Sequence, residues 1–393
     1  MVSSKSNDLE KKTQEEETLV EAEKCIKCGL CVIHCPVYTT IGSDHYPGPR
    51  HMTDIARLEK ESYKQELVPY LCTLCKKCYT ICPRNVSVPF IAQQIRANYF
   101  AKEETIPTNV EKMAKNIQKK KNSFGLPPEF RLDWMQFFGR EAYQPKEQAE
   151  YLFFIGCLES YKAELNTVAD AAMTIFEEAG IDFTILGNEE VCCGSPSLIL
   201  GDRTTAKKLA EENLENFKRK KVKTVVTTCP SCFLTIKKEY PKLLGKELSI
   251  EILHITQFLM ELIKRGKITF EPSKHKEIVS FMDPCELGRS SGIFEEPREV
   301  IKKITNAELV ETKESKARTN CCGGGGALRV IDPGYSKAIG KKKIKEFLEV
   351  DAEKIVTSCP SCFWTLKEAG KEVAPQLVII DLVEWVAKRL KKK

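Results

Sequence analysis

The heptapeptide Thr227-Thr228-Cys229-Pro230-Ser231-Cys232-Phe233 returns almost unchanged as Thr357-Ser358-Cys359-Pro360-Ser361-Cys362-Phe363. Each copy closes the same longer pattern. Upstream of the first stand Cys157 and then Cys192-Cys193-Gly194; upstream of the second stand Cys285 and then Cys321-Cys322-Gly323. Matching positions are offset by 128, 129 and 130 residues, from Cys157 to Cys285, Cys192 to Cys321 and Cys229 to Cys359. Words that repeat together with their spacing mark an internal duplication.

The segments between these cysteines alternate in character. YLFFIG (151–156), FTIL (183–186) and TVVTT (224–228) read as short buried strands, and ILHITQFLMELIKRG (252–266) as a strand running into a helix. YKAELNTVADAAMTIFEEAG (161–180) and TTAKKLAEENLENFKRKK (204–221) carry helical periodicity. The order recurs from EIVSFM (277–282) to LVIIDLVEWVAKRL (377–390). Alternation of this kind predicts an α/β fold with a largely parallel sheet in each half. Every cysteine then falls at the C-terminal end of a strand or in the loop after it, where open parallel sheets hold ligands. Two such halves are expected to face each other with pseudo-twofold symmetry about a shared crevice.

Ahead of the duplication, CIKCGLCVIHCP (25–36) and CTLCKKCYTICP (72–83) both read C-x2-C-x2-C-x3-C-P. Three thiolates two residues apart wrap three corners of an iron–sulfur cube, and the fourth leads away to a second cube. One cubane [4Fe-4S] cluster is expected on Cys25, Cys28, Cys31 and Cys82, the other on Cys72, Cys75, Cys78 and Cys35. Zinc sites also use C-x2-C but do not need a third cysteine at the same step followed by C-x3-C-P, twice. His34 lies among the ligands and reads as a neighbour.

In the duplicated halves five soft ligands, two of them adjacent, exceed what one zinc ion requires. The glycines of Gly323–Gly326 allow close backbone approach and offer N–H groups; they lack the Lys-Ser/Thr of a phosphate-binding loop.

The expected architecture is therefore α+β and multidomain: a polar tail (1–16), an α-helical two-cluster ferredoxin-type domain (17–100), a linker (101–148) and two duplicated α/β domains (149–268 and 269–393). Within the Lys-rich linker, Trp134, Phe137 and Phe138 are expected to dock on a neighbour.

Composition narrows the function. The 393 residues carry 18 cysteines, a net charge of +6, 42% hydrophobic and 30% charged residues. Eighteen cysteines in disulfides would need an oxidising compartment, and the charged N-terminus has no apolar core of a secretory signal. No apolar run approaches the eighteen residues of a membrane helix. The expectation is a cytoplasmic protein, peripheral at a membrane only through a partner. Mixed, scattered charge argues against nucleic acid as a partner.

The doubled C…CCG…CPSC pattern resembles the cysteine-rich CCG domain family, best known from heterodisulfide reductase. Its order after two ferredoxin clusters resembles the D-type subunit of that enzyme. The iron–sulfur subunits of glycolate oxidase and anaerobic glycerol-3-phosphate dehydrogenase look similar. The resemblance implies two non-cubane [4Fe-4S] clusters, one on Cys157, Cys192, Cys193, Cys229 and Cys232, the other on Cys285, Cys321, Cys322, Cys359 and Cys362. It implies reduction of a disulfide of the coenzyme M–coenzyme B type, with Cys193 and Cys322 catalytic, and a membrane cytochrome as redox partner. The alternative is an electron relay between a FAD-containing dehydrogenase subunit for 2-hydroxy acids or glycerol phosphate and a quinone. Where the family often has DPCHLGR, this chain has Asp283-Pro284-Cys285-Glu286-Leu287-Gly288-Arg289. This departure puts any proton-donor role of that His in doubt: Glu286 carries a proton there if burial raises its pKa, and otherwise reads as a surface glutamate.

Overall fold

The computed structural model describes residues 14–58, 67–102, 106–272, 275–304 and 306–391; most of the polar tail lies outside them. Two four-stranded sheets form, both wholly parallel. The first comprises β1 (Tyr151–Phe153), β2 (Phe183–Thr184), β3 (Thr224–Thr227) and β4 (Glu251–His254) in the order β2-β1-β3-β4. The second comprises β5 (Glu277–Met282), β6 (Ala307–Leu309), β7 (Lys354–Thr357) and β8 (Val378–Asp381) in the order β6-β5-β7-β8. The strand order of one sheet is therefore that of the other.

Local chemistry repeats as well. β4 ends at His254 and β8 at Asp381, and each side chain caps the following helix, Ile255–Lys264 or Leu382–Arg389. In both, the third helical residue, Gln257 or Glu384, answers with a bond to the cap's backbone N–H. Such reciprocal caps satisfy amides that a helix start leaves open.

Each half could have buried its sheet separately, but one core crosses between them. Phe153, Val226, Leu253 and Phe258 of the first half share a continuous apolar cluster with Phe281, Val356, Ile380 and Trp385 of the second. The helix Asn166–Glu178 packs on Leu382–Arg389, and Ile255–Lys264 packs on Glu295–Lys303. Those helices cover one face of their own sheet and bury their outer apolar stripe on each other.

Among the described residues the N-terminal region is a set of short helices, of which 14–23, Arg50–Leu58 and Val88–Ala101 exceed one turn. Its core around Met52, Tyr70 and Ile91 takes in Leu200 of the first half and Leu328 and Ile339 of the second. The connector holds a helix, Thr108–Lys120, and a 3-10 segment, Pro128–Phe138. Trp134 enters the shared core and Phe138 packs against it, but Phe137 is 77% exposed. The expected docking of Phe137 is thus corrected: neighbours in a 3-10 segment point about 120° apart, and it is Phe138 that meets Trp134, edge to face at 5.8 Å. Among the described residues no helix is long and apolar enough to cross a membrane.

Candidate functional site

The eight N-terminal thiols fall into two groups that cross over between the motifs. Cys31 lies close to Cys25, Cys28 and Cys82. Cys78 lies close to Cys72, Cys75 and Cys35. The crossover follows from the one-turn helices Leu30–Ile33 and Lys77–Thr80, which carry the fourth cysteine of each motif away from its loop. Between the cysteines Lys27, Gly29, Leu74 and Lys76 take positive φ, a backbone pattern that turns successive amides inward toward anionic groups. Cys28 is exposed, whereas Cys35, Cys72, Cys75 and Cys78 are buried. His34 is exposed beside them.

Burial, then mutual repulsion, pushes the Cys31 thiol up to about 11 and Cys78 well above the usual range. Thiolates packed this way need strong positive compensation at their centre. The donor set, soft sulfurs in fours, fits an iron–sulfur group by its chemistry.

In the duplicated halves the cysteines sit beyond the strand ends. Cys157 opens the turn after β1, Cys192-Cys193 follows β2, and Cys229 and Cys232 start the helix after β3. Cys285, Cys321-Cys322, Cys359 and Cys362 take the matching places. The Cys362 and Cys322 sulfurs are 3.2 Å apart. In both halves the second cysteine of the pair is the acidic one. Thiol hydrogen bonds from Cys192 and Cys232 bring Cys193 down to about 6, and those from Cys321 and Cys362 lower Cys322 well below its ordinary value. The Gly194 and Gly323 amides point at the first sulfur of their pair, at 3.5 and 3.3 Å. Gly325 and Gly326 do something else. A Cβ on them would meet Thr73 O at 2.8 Å and Cys72 O at 2.3 Å. They are the seat of the ferredoxin-type loop.

That loop is fastened further by arginines. Arg289 donates to Cys75 O at 2.6 Å, and buried Arg96 donates to Cys72 O, Gly326 O and Ile199 O. Cys75 is thereby set against Cys321. Of the two duplicated cysteine sets, it is the second that Cys75 meets.

A cavity of about 520 Å³ lies between the halves. Five thiols of the first set and four of the second border it; Cys321 does not. Glu286 and Ser231 meet on its wall, joined by a short hydrogen bond from the Ser231 hydroxyl. Burial raises the Glu286 carboxyl, against the pull of Ser231 and Lys76. Arg329 stacks 3.8 Å over the Trp364 ring nearby. The connector closes one side through Asn109, Lys112 and Asn116. Nothing in the linker's composition marks that role, although the 109/112/116 spacing puts all three on one helical face.

Sequence reasoning also missed the buried charges behind the sulfurs. Arg131 pairs with Glu190 at 2.7 Å, lies 3.8 Å from the Cys157 sulfur, and leaves Glu190 to accept the Ile155 and Gly156 amides. Arg298 pairs with Asp283, two residues before Cys285. Burial pushes the Glu159 and Asp381 carboxyls well above their range and holds His254 down at about 3.

Residues 151–237 and 279–367 match the cysteine-rich (CCG) domain, and residues 21–86 match a 4Fe-4S dicluster domain. The D-type subunit of the dihydromethanophenazine:CoB–CoM heterodisulfide reductase of Methanosarcina barkeri is 31% identical over 396 residues, covering 95% of each chain. FadF, a probable iron–sulfur-binding oxidoreductase of Bacillus subtilis, is 30% identical over 81% of this chain and 46% of its own. The EtfAB:quinone oxidoreductase of Syntrophomonas wolfei is 27% identical over 94% of this chain and 58% of its own. A hypothetical protein from Helicobacter pylori shares the fold, with a TM-score of 0.58 at 10% identity, covering 98% of this chain and 73% of that one. Two cysteine-rich domains behind a dicluster domain, with a relative matched almost end to end, place the chain in the family of CCG-domain iron–sulfur oxidoreductases that includes the D-type subunit of heterodisulfide reductase.

Proposed function

We propose that this chain is the disulfide-reducing subunit of an oxidoreductase complex. The observation that carries the reading is the single cavity bordered by thiols of both duplicated sets. A substrate there has two sulfur-rich walls, one for each sulfur of a disulfide.

Two cubane [4Fe-4S] clusters are assigned to Cys25, Cys28, Cys31, Cys82 and to Cys72, Cys75, Cys78, Cys35. Two non-cubane [4Fe-4S] clusters are assigned to the two CCG sets, whose halves are related by a pseudo-twofold axis. When bound, such clusters supply single electrons and a Lewis-acidic iron for a departing thiolate. The residues do the rest. Cys193 and Cys322 are the most acidic thiols of their sets and so the readiest thiolate ligands beside the cavity. Glu286, held by Ser231, carries a proton at its carboxyl to a thiolate leaving that wall. The connector helix and the Arg329–Trp364 stack wall the cavity's flanks. Electron supply comes from another protein of the complex, a membrane cytochrome in the first reading, and the disulfide is of the coenzyme M–coenzyme B type.

Relatives named as an EtfAB:quinone oxidoreductase and FadF support the second reading, an electron relay for a FAD-containing dehydrogenase that delivers electrons to quinone. One anaerobic experiment separates them. With reduced viologen as donor and no partner, a disulfide reductase turns over and shows a paramagnetic signal that appears only with the thiol substrate. Turnover that requires the flavoprotein, with no thiol-dependent signal, overturns the first reading in favour of the relay.

A further inference from the structure

Lys77 stands between Cys75 and Cys78 in the chain, yet its side chain is only 4% exposed and runs into the second half. Its ammonium donates to Glu314 at 3.1 Å and to Asn320 at 2.5 Å. Asn320 is the residue before Cys321, and it donates onward to Glu346, which also takes the buried Lys343. Lys77 and Cys321 share the wall of one polar cavity of about 180 Å³.

A buried ammonium is costly to desolvate, and its ion pair rarely returns the whole cost; an apolar side chain would pack the junction as well. Nor is Lys77 needed as a clamp. Arg289 and Arg96 already hold the 72–75 loop through its carbonyls, and Gly325–Gly326 make room for it. Arg289 also brings positive charge near Cys75 and Cys285, but it reaches the stretch before Cys321 through the Ala317 and Thr319 carbonyls; Lys77 adds a second cation bonded to the Asn320 side chain itself. A cation at that place stabilises an added electron on either side of it.

We propose that Lys77 is a potential-setting residue of this junction: flanked in the chain by Cys75 and Cys78 and bonded to the residue before Cys321, it raises the reduction potential of the centres on the Cys35/Cys72/Cys75/Cys78 set and on the Cys285/Cys321/Cys322/Cys359/Cys362 set. The inference rests on the cluster assignment above. Glu314 opposes it, and Glu314 is itself shared with Arg318 at 2.8 Å, so removing Lys77 leaves no orphaned carboxylate.

The test is potentiometric titration, followed by paramagnetic resonance, of the anaerobically reconstituted full chain and its Lys77→Met, Lys77→Arg and Glu314→Gln variants. Signals are assigned with Cys28→Ser and Cys193→Ser, which mark the two centres that should not move. In Lys77→Met, at unchanged iron content, the midpoints of the two junction centres should fall by a tenfold change in electron partition, about 59 mV for one electron. Lys77→Arg should restore them, and Glu314→Gln, at a 27% exposed position, should move them upward. General loosening cannot produce shifts of opposite sign. Unmoved midpoints, or equal movement of all four centres, overturn the proposal. If Lys77→Met loses iron, Glu314→Gln decides alone, and no upward shift overturns the proposal. Absence of four distinct signals in the unmodified protein would instead sink the cluster assignment, and this inference with it.

Discussion

Glu286, the residue after Cys285, accepts a hydrogen bond from Ser231, which stands between Cys229 and Cys232 in the other half. The bond ties a turn of the second sheet to a helix start of the first, on the wall of the cavity both share. The matching position in the first half is Leu158. The duplication therefore has one carboxyl where symmetry would allow two, and proton delivery is expected from one side only.

Glu286→Gln keeps the acceptor for Ser231 and removes the transferable proton. Viologen-driven disulfide turnover should fall about a hundredfold or more, the lower range for a lost general acid, at unchanged iron content. Ser231→Ala removes only one positioning hydrogen bond and should cost about tenfold or less. Wild-type turnover in Glu286→Gln would make the residue a bystander.

The cysteine sets should separate in their losses. Cys28 is the exposed thiol of its group, so, on the proposed assignment, Cys28→Ser should damage one cubane signal and leave the other three centres. Cys193→Ser or Cys322→Ser should abolish the thiol-dependent signal while both cubane signals persist. Collapse of every signal from any single change would mean that the centres assemble as one unit.

Gly326→Ala tests the seat of the ferredoxin-type loop. Gly326 has φ 63°, and a Cβ there meets Cys72 O at 2.3 Å. Left-handed backbone costs a non-glycine residue about 1–2 kcal/mol, and the backbone clash adds more, for a total of about 2–4 kcal/mol. Gly180→Ala has φ 62° with nothing within 4 Å and should cost only the backbone term, about 1–2 kcal/mol. Thermal unfolding measures both. Equal losses would show that the loop yields and is not seated there.

His254 sets a pH dependence. It is fully buried, its ring lies 3.0 Å from Thr228 O, and burial holds it at about 3, below its ordinary 6.5. The folded state then binds fewer protons than the unfolded state between those values. Stability should be complete above pH 6.5 and fall as pH drops below it, by about 1.4 kcal/mol per pH unit from this group. His254→Gln should flatten that part of the profile. An unchanged slope between pH 6 and 4.5 would assign the acid lability to other groups.

Strand and helix identity was legible because periodicity is local. YLFFIG and TVVTT, bounded by turn residues, could bury themselves only as short central strands, and both lie in the first sheet. The duplication was legible because Cys229-Pro230-Ser231-Cys232 and its second copy need no distant context to be recognised. Side-chain direction in an irregular segment was not: Trp134 and Phe137 look equivalent in sequence, and only the packing of the 3-10 turn buries one and exposes the other. Nor could the chain order reveal that the linker helix walls the cavity, that the two halves share one core, or that Gly325–Gly326 receive Thr73 and Cys72. Those are contacts between residues separated by scores to hundreds of positions. Residue type decides which sulfurs suit iron; the closure of two sheets on each other decides which of them look into the same space.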